Sequence, residues 1–301
     1  MENNSRRKFM KTLGATLGAT GVIGSGSILA SCNRVEEVSG DKITLLTSSG
    51  ELVEVDKSQL TPAEMPSLTE NQKRGRKGLP GRSWVMVIDL SKCRNARECM
   101  KACQSHHQLR PEQHHINVLQ MQETEQTSPY YMPKPCQHCD NPPCTKVCPV
   151  NATFKREDGI VLIDNERCIG CRFCIAACPY SARVFNWFEP RDAEKYKGVT
   201  YNIEANVPQK KGTISKCLFS ADRLREGQLP SCVSACPNGV YWFGDRNEDA
   251  VTNGTTKETV SFSKLVEQGA AYTLMKELGT APRVYYLPPK DRAFPFEAEQ
   301  V

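Results

Sequence analysis

Apolar residues in this chain gather in short runs broken by charged and turn-forming residues, not in long helical stripes. Lys42-Ile43-Thr44-Leu45-Leu46-Thr47 and Leu52-Val53-Glu54-Val55, joined through Ser48-Ser49-Gly50-Glu51, predict a β-hairpin. Val85-Met86-Val87-Ile88-Asp89 and Ile160-Val161-Leu162-Ile163-Asp164 predict two buried strands. Each delivers a cysteine after an acidic turn and a basic residue, ending Lys92-Cys93 and Arg167-Cys168. Ala152-Thr153-Phe154, Ala182-Arg183-Val184-Phe185 and Val240-Tyr241-Trp242-Phe243 predict strands that leave cysteine blocks. The segment from Pro62 to Arg82, with its basic run Lys73, Arg74, Arg76 and Lys77, reads as a solvated tether. Gln104 to Pro135 and Asn186 to Ile214 are irregular interruptions of a functional or interfacial kind. Beyond Gly244, a helix around 263–268 and a strand around 283–287 precede a Pro-rich end, which reads as wrapping the domain or a partner rather than forming a core.

Only 39% of the 301 residues are hydrophobic and the mean hydropathy is −0.49, which argues against a large oily core. The formal charge is +5, but Arg6, Arg7, Lys8 and Lys11 against Glu2 place +3 near the start. The other 35 basic and 33 acidic residues leave +2, a balance that points neither to nucleic acid nor to an anionic membrane surface. Ser5-Arg6-Arg7-Lys8-Phe9-Met10-Lys11 before the Gly-rich apolar stretch Leu13 to Ala30 resembles a twin-arginine export signal. Five glycines weaken that stretch as a retained transmembrane helix. Leu29-Ala30-Ser31-Cys32 resembles a lipoprotein cleavage site, with Cys32 carrying lipid; ordinary signal cleavage is the alternative.

Fourteen of the fifteen cysteines fall into four blocks. The third, Cys168-x2-Cys171-x2-Cys174-x3-Cys178-Pro179, is the bacterial ferredoxin ligand run, in which the fourth thiolate crosses to a second cluster. The second is Cys136-x2-Cys139-x4-Cys144-x3-Cys148-Pro149. The crossover rule gives one [4Fe–4S] cluster to Cys136, Cys139, Cys144 and Cys178, and its neighbour to Cys168, Cys171, Cys174 and Cys148. Gly170, Ala176 and Ala177 would let backbone amides approach the inorganic sulfurs. Zinc binding or a disulfide scaffold explains neither this spacing nor the Cys-Pro that closes three blocks.

The outer blocks each lack one cysteine: Ala96 stands where a ligand is expected in Cys93-x5-Cys99-x3-Cys103, and Ser220 in Cys217-x14-Cys232-x3-Cys236-Pro237. Crossover groups Cys93, Cys99 and Cys236, a set suited to a [3Fe–4S] cluster. It also groups Cys217, Cys232 and Cys103 with the Ser220 hydroxyl, at a further three- or four-iron cluster. Filled and empty outer sites both fit the residues. His106, His107, His114 and His115 have no acid–base partner pattern and read as solvated or satisfied, while the ring N–H of His138, inside Cys136-Gln-His-Cys139, is placed to tune a cluster or simply to pack. Trp84, Trp187 and Trp242 read as cluster shields or interface residues. No phosphate loop, nucleophile elbow or dinucleotide fingerprint occurs, so no catalytic residue is assigned.

Cys136-Gln-His-Cys139-Asp-Asn-Pro-Pro-Cys144 through Cys148-Pro149, Asp158-Gly-Ile through Cys178-Pro-Tyr180, and Lys216-Cys217 through Pro230-Ser-Cys232 to Cys236-Pro237 resemble the four-cluster iron–sulfur subunits of the dimethyl-sulfoxide-reductase and polysulfide-reductase families, over about residues 84–245. The resemblance implies an α+β fold, a duplicated ferredoxin-like dicluster domain with long insertions. It divides the chain into a 1–31 signal, a 32–83 hairpin and linker, the 84–245 iron–sulfur domain and a 246–301 extension. It further implies electron transfer between a molybdopterin-type catalytic subunit and a polytopic quinone-reactive membrane subunit, on the periplasmic side of a bacterial inner membrane. An alternative-complex-III-like quinol-oxidising assembly, and a self-contained oxidoreductase acting at an open cluster iron, are the other readings.

Overall fold

The hairpin forms where alternation places it: β1 (Lys42–Leu46) pairs antiparallel with β2 (Leu52–Asp56), Ile43 opposite Val55. In this computed structural model the described residues are 42–46, 51–56, 58, 67–122, 124, 125 and 127–290, so the predicted export signal and Cys32 lie outside them. The hairpin belongs to one compact unit, which runs to Pro66, and everything below belongs to a second, from Ser67 onward.

The expected tether is in part a helix, α1 (Glu70–Lys77). A capping box starts it: the Gln72 amide donates to the Thr69 hydroxyl and the Thr69 amide to the Gln72 side chain, at 3.3 and 3.0 Å. With no large apolar residue, α1 docks through polar and backbone surface. The Gln72 side chain donates to Asp164 and Glu166 at 3.1 and 2.8 Å, and a Cβ at Gly75 would stand 2.1 Å from Ile203.

Eight strands and five helices then carry the cysteines. The strands are β3 (Trp84–Asp89), β4 (Asn117–Met121), β5 (Tyr130–Lys134), β6 (Thr153–Lys155), β7 (Val161–Ile163), β8 (Arg183–Phe185), β9 (Ile214–Lys216) and β10 (Tyr241–Asp245). The helices are α2 (Glu98–His106), α3 (Pro143–Lys146), α4 (Phe173–Ala176), α5 (Ala221–Arg225) and α6 (Ser231–Ala235). One rule orders the strands: the strand leaving each cysteine block pairs antiparallel with the strand entering the next. Thus β4 pairs with β5, β6 with β7 and β8 with β9, and β10, leaving the fourth block, pairs back with β3, entering the first.

β3 and β10 continue into a five-stranded sheet, β12-β11-β10-β3-β13, formed with β11 (Ala250–Asn253), β12 (Thr259–Ser261) and β13 (Val284–Leu287); α7 (Phe262–Gln268) follows β12. The period-2 alternation of β3 feeds two cores. Met86 and Ile88 join the main core with the buried cysteines, and Val85 and Val87 pack with Trp242, Val251 and Phe262 on the other face. The C-terminal strand is therefore core and not wrapping: β13 runs parallel to β3, with Val284 and Tyr286 fully buried.

Candidate metal centres

Short helices and tight turns, not long elements, position the thiols. In all four blocks the residue two after the first cysteine has a left-handed backbone: Asn95 (φ 58°), His138 (φ 42°), Gly170 (φ 71°) and Phe219 (φ 54°). Three of these are not glycine, and such strain persists only where surrounding structure imposes it. The turn aims a backbone amide back at the block's first thiol: Asn95 at Cys93, Gly170 at Cys168 and Phe219 at Cys217. Later ligands sit on helices, with Cys99 and Cys103 one turn apart on α2, Cys144 on α3, Cys174 on α4 and Cys232 on α6.

These turns bring cysteines from different blocks together. One cavity is lined by Cys136, Cys139, Cys144 and Cys178, and a second by Cys168, Cys171, Cys174 and Cys148. A third is lined by Cys93, Cys99 and Cys236, with Ala96 and Tyr241 on its wall. Cys103, Cys217 and Cys232 are buried together, close enough that Cys217 opposes ionisation of both others and Cys103 that of Cys232. Ser220 starts α5 in a left-handed conformation, and its hydroxyl accepts the Ser231 amide at 3.2 Å. All fourteen described cysteines are free thiols.

As bare thiols, Cys99, Cys139 and Cys217 are poorly disposed to ionise. Burial pushes Cys99 and Cys217 up to about 11 and Cys139 up to about 12, and neighbouring thiols add to each rise. A bound cationic centre reverses that preference, so binding metal and shedding protons are one event.

Several buried polar groups are turned to thiols instead of oxygen or nitrogen partners: the Tyr241 hydroxyl to Cys99 and the Arg183 guanidinium to Cys144, while His138 Nε2 and His115 Nδ1 have no well-formed bond. His138 Nδ1 accepts the Val161 amide at 3.1 Å, so the neutral ring carries its hydrogen on the orphaned Nε2. Thiol groups ringed by donors turned toward sulfur fit a cofactor whose surface is made of acceptor sulfurs, as an iron–sulfur cluster's is.

Of the two roles expected for the histidines, solvated or satisfied, the contacts of His106, His107 and His114 are of the second kind. His107 and His115 are buried, and one ring nitrogen of each lies within 4.8 Å of the other and of Cys103 Sγ. His107 Nδ1 donates to the Ala205 carbonyl at 2.8 Å, and burial pulls its pKa down to about 4. His106 contacts Asp222 at 2.9 Å, and Gln104 donates to His114 at 3.1 Å. Trp84 stacks on Phe243 and Trp242 is buried, whereas Trp187 is exposed with Ile169, Phe173 and Phe188. That apolar surface adjoins the third block, where Cys171 is the exposed thiol and Arg172 stacks over Phe185 and Trp187 at 4.1 and 4.3 Å. The structure adds Tyr241, Arg183 and Lys216 to the residues that face the cysteine groups. Their signal in the sequence is a polar or charged residue inside an otherwise apolar strand next to a cysteine block.

A family model described as a 4Fe-4S dicluster domain matches residues 127–206 and 190–246. A selenate reductase subunit of Mesobacillus selenatarsenatis is 36% identical over 95% of this chain and 98% of its own length. The menaquinone reductase iron–sulfur cluster-binding subunit of Nitratidesulfovibrio vulgaris is 37% identical over 68% of this chain and 88% of its own. A tetrathionate reductase subunit of Salmonella typhimurium is 32% identical over 82% and 85%. The chain belongs to the iron–sulfur subunit family of the dimethyl-sulfoxide, tetrathionate and polysulfide type of reductase complex. Members of this family are electron-transfer subunits, and this chain is an electron relay of the same kind.

Proposed function

We propose that electrons pass through two [4Fe–4S] clusters, one on Cys136, Cys139, Cys144 and Cys178 and one on Cys168, Cys171, Cys174 and Cys148. The single observation that carries this is the crossed grouping, in which each cavity takes a cysteine from the other block. Cys93, Cys99 and Cys236 take a [3Fe–4S] cluster, the fourth wall of their cavity being Ala96. The clusters supply one-electron carriers; the protein sets spacing, potential and shelter from water.

In this reading the partners are a molybdopterin-type catalytic subunit and a membrane quinone-reactive subunit; that the relatives are subunits of selenate, tetrathionate and menaquinone reductases supports a multisubunit reductase complex. The exposed Ile169, Phe173, Trp187 and Phe188 around Cys171 are the kind of surface a partner covers. No described helix is long and apolar enough to cross a membrane. Membrane attachment falls to the partner and to lipid on Cys32, after twin-arginine export to the periplasmic side.

Co-expression with the neighbouring subunits, followed by addition of a quinol analogue under anaerobic conditions, tests the relay. Cluster reduction should require the membrane subunit, and reoxidation by an oxyanion should require the catalytic one. Turnover of an oxyanion by the isolated chain with an artificial donor would overturn it in favour of chemistry at an open cluster iron.

A further inference from the structure

Arg183 on β8 and Lys216 on β9 stand directly opposite each other in the antiparallel ladder. Both are buried, Lys216 completely. Like charges in facing register destabilise a strand pair even at a surface, and burying them without counter-charge is far worse. The pair therefore needs anions close by.

Among the described residues no carboxylate bonds to either side chain. Arg183 Nη1 donates to the Thr153 hydroxyl at 3.1 Å, and the rest of the guanidinium is turned to the Cys144 thiol, with no oxygen acceptor on Nη2. Arg183 lines the cavity of Cys136, Cys139, Cys144 and Cys178, and its partner Thr153 lines the neighbouring cavity of Cys168, Cys171, Cys174 and Cys148. Lys216 donates to the backbone carbonyl of Cys217. Its charge acts on Cys217 and Cys144 and also disfavours protonation of His138, so it lies amid the cysteine groups. Arg183 thus faces both central groups, through Cys144 of one and Cys174 of the other. Lys216 faces the first of these and the Cys217 group.

We propose that Arg183 and Lys216 are the built-in counter-charge of the relay, paired side by side so that each raises the reduction potential of the central clusters it faces. Reduction adds an electron to a cluster that is already anionic, and a nearby fixed cation favours the reduced form. Arg183 serves both central clusters, and Lys216 serves the Cys136–Cys178 cluster and not the Cys168–Cys148 one. Both are positioning residues: they tune metal that other side chains hold. The proposal rests on the cluster assignment above and adds to it a pattern of potentials.

Anaerobic redox titration of the iron-loaded full chain, followed by electron paramagnetic resonance, tests it. Arg183→Gln should lower both central potentials. At the wild-type midpoint the reduced-to-oxidised ratio should fall at least tenfold, which is about 59 mV for a one-electron couple. Arg183→Lys, which keeps the charge, should return at least half of that shift. Lys216→Gln should move the first central cluster and leave the second within error. Variants that retain the wild-type iron content with both potentials unmoved, or an Arg183→Lys shift as large as that of Arg183→Gln, would overturn the counter-charge role and leave the cluster assignment standing. Wild-type protein with less iron than two clusters require would defeat the assignment instead. If Arg183→Gln does not accumulate as folded protein, Lys216→Gln alone decides: an unmoved first central cluster sinks the proposal.

Discussion

Tyr241 on β10 lies directly opposite Ile88 on β3, joining the strand that leaves the fourth cysteine block to the strand that enters the first. This contact closes the series of hairpins into a ring, and its side chains are at the centre of the main core. Ile88 is fully buried. Ile88→Ala should therefore cost about 2–5 kcal/mol. The measurement is the rate at which visible cluster absorbance bleaches in urea, because a cofactor-bound chain does not unfold as a simple two-state system. Bleaching should be faster than wild type in every cluster band, since the ring supports all the centres.

The insertion between the third and fourth blocks is pinned by charge. Glu204 accepts from Arg156 at 2.7 Å and from Arg225 at 2.6 Å, and Arg156 also pairs with Asp158 where neither side chain is exposed. Glu204→Ala would leave part of a buried guanidinium unpaired, a change on the order of 3–5 kcal/mol. Limited proteolysis should show earlier cleavage between residues 186 and 214. A cleavage pattern identical to wild type would mean that the packing of Ile203 and Tyr201 holds the insertion alone.

Gly170 and Gly212 offer a matched pair of substitutions at positive φ. A Cβ on Gly170 would stand 2.1 Å from the Gly212 carbonyl oxygen, whereas a Cβ on Gly212 would meet nothing within 4 Å. Gly212→Ala then costs only backbone strain, roughly 1–2 kcal/mol. Gly170→Ala must displace the turn whose amide reaches Cys168. Iron analysis should show about four irons lost from Gly170→Ala and none from Gly212→Ala.

How far each element is legible in the sequence follows from the physics that forms it. β3 and β7 are legible because an unbroken apolar run followed by Asp, a basic residue and Cys has few other readings. The β8–β9 hairpin is only half legible: the exit strand is visible, but its register, which sets Arg183 against Lys216, depends on tertiary closure. α1 reads as a tether because Glu70-Asn-Gln-Lys-Arg-Gly-Arg-Lys77 carries no apolar stripe. Its capping box is in view, and its docking through Gly75 and Gln72 is not. β13 is easily underrated because the proline-rich end beside it suggests a wrap. The crossed cysteine groups are legible since ligand spacing is set by metal geometry. His107 and His115 are not, because their burial beside Cys103 comes from long-range packing, including the His107 bond to Ala205 and the His115 contact with Ser215.

Ala96 gives the sharpest test of the outer centres. It lines the cavity of Cys93, Cys99 and Cys236, so a thiol introduced there would face the same space as the three native ones. With three thiolates the site should hold a [3Fe–4S] cluster, which is paramagnetic when oxidised, and the oxidised protein should show its resonance. In Ala96→Cys a fourth ligand retains the fourth iron, so the oxidised signal should fall and iron should rise by about one per chain. Ser220→Ala is the control: its hydroxyl accepts the Ser231 amide at the other outer group, so the Ala96 signal should survive unchanged. An oxidised wild-type sample with no such resonance, and with iron for two clusters only, would mean that this cavity holds no metal and that electrons move through the central pair alone.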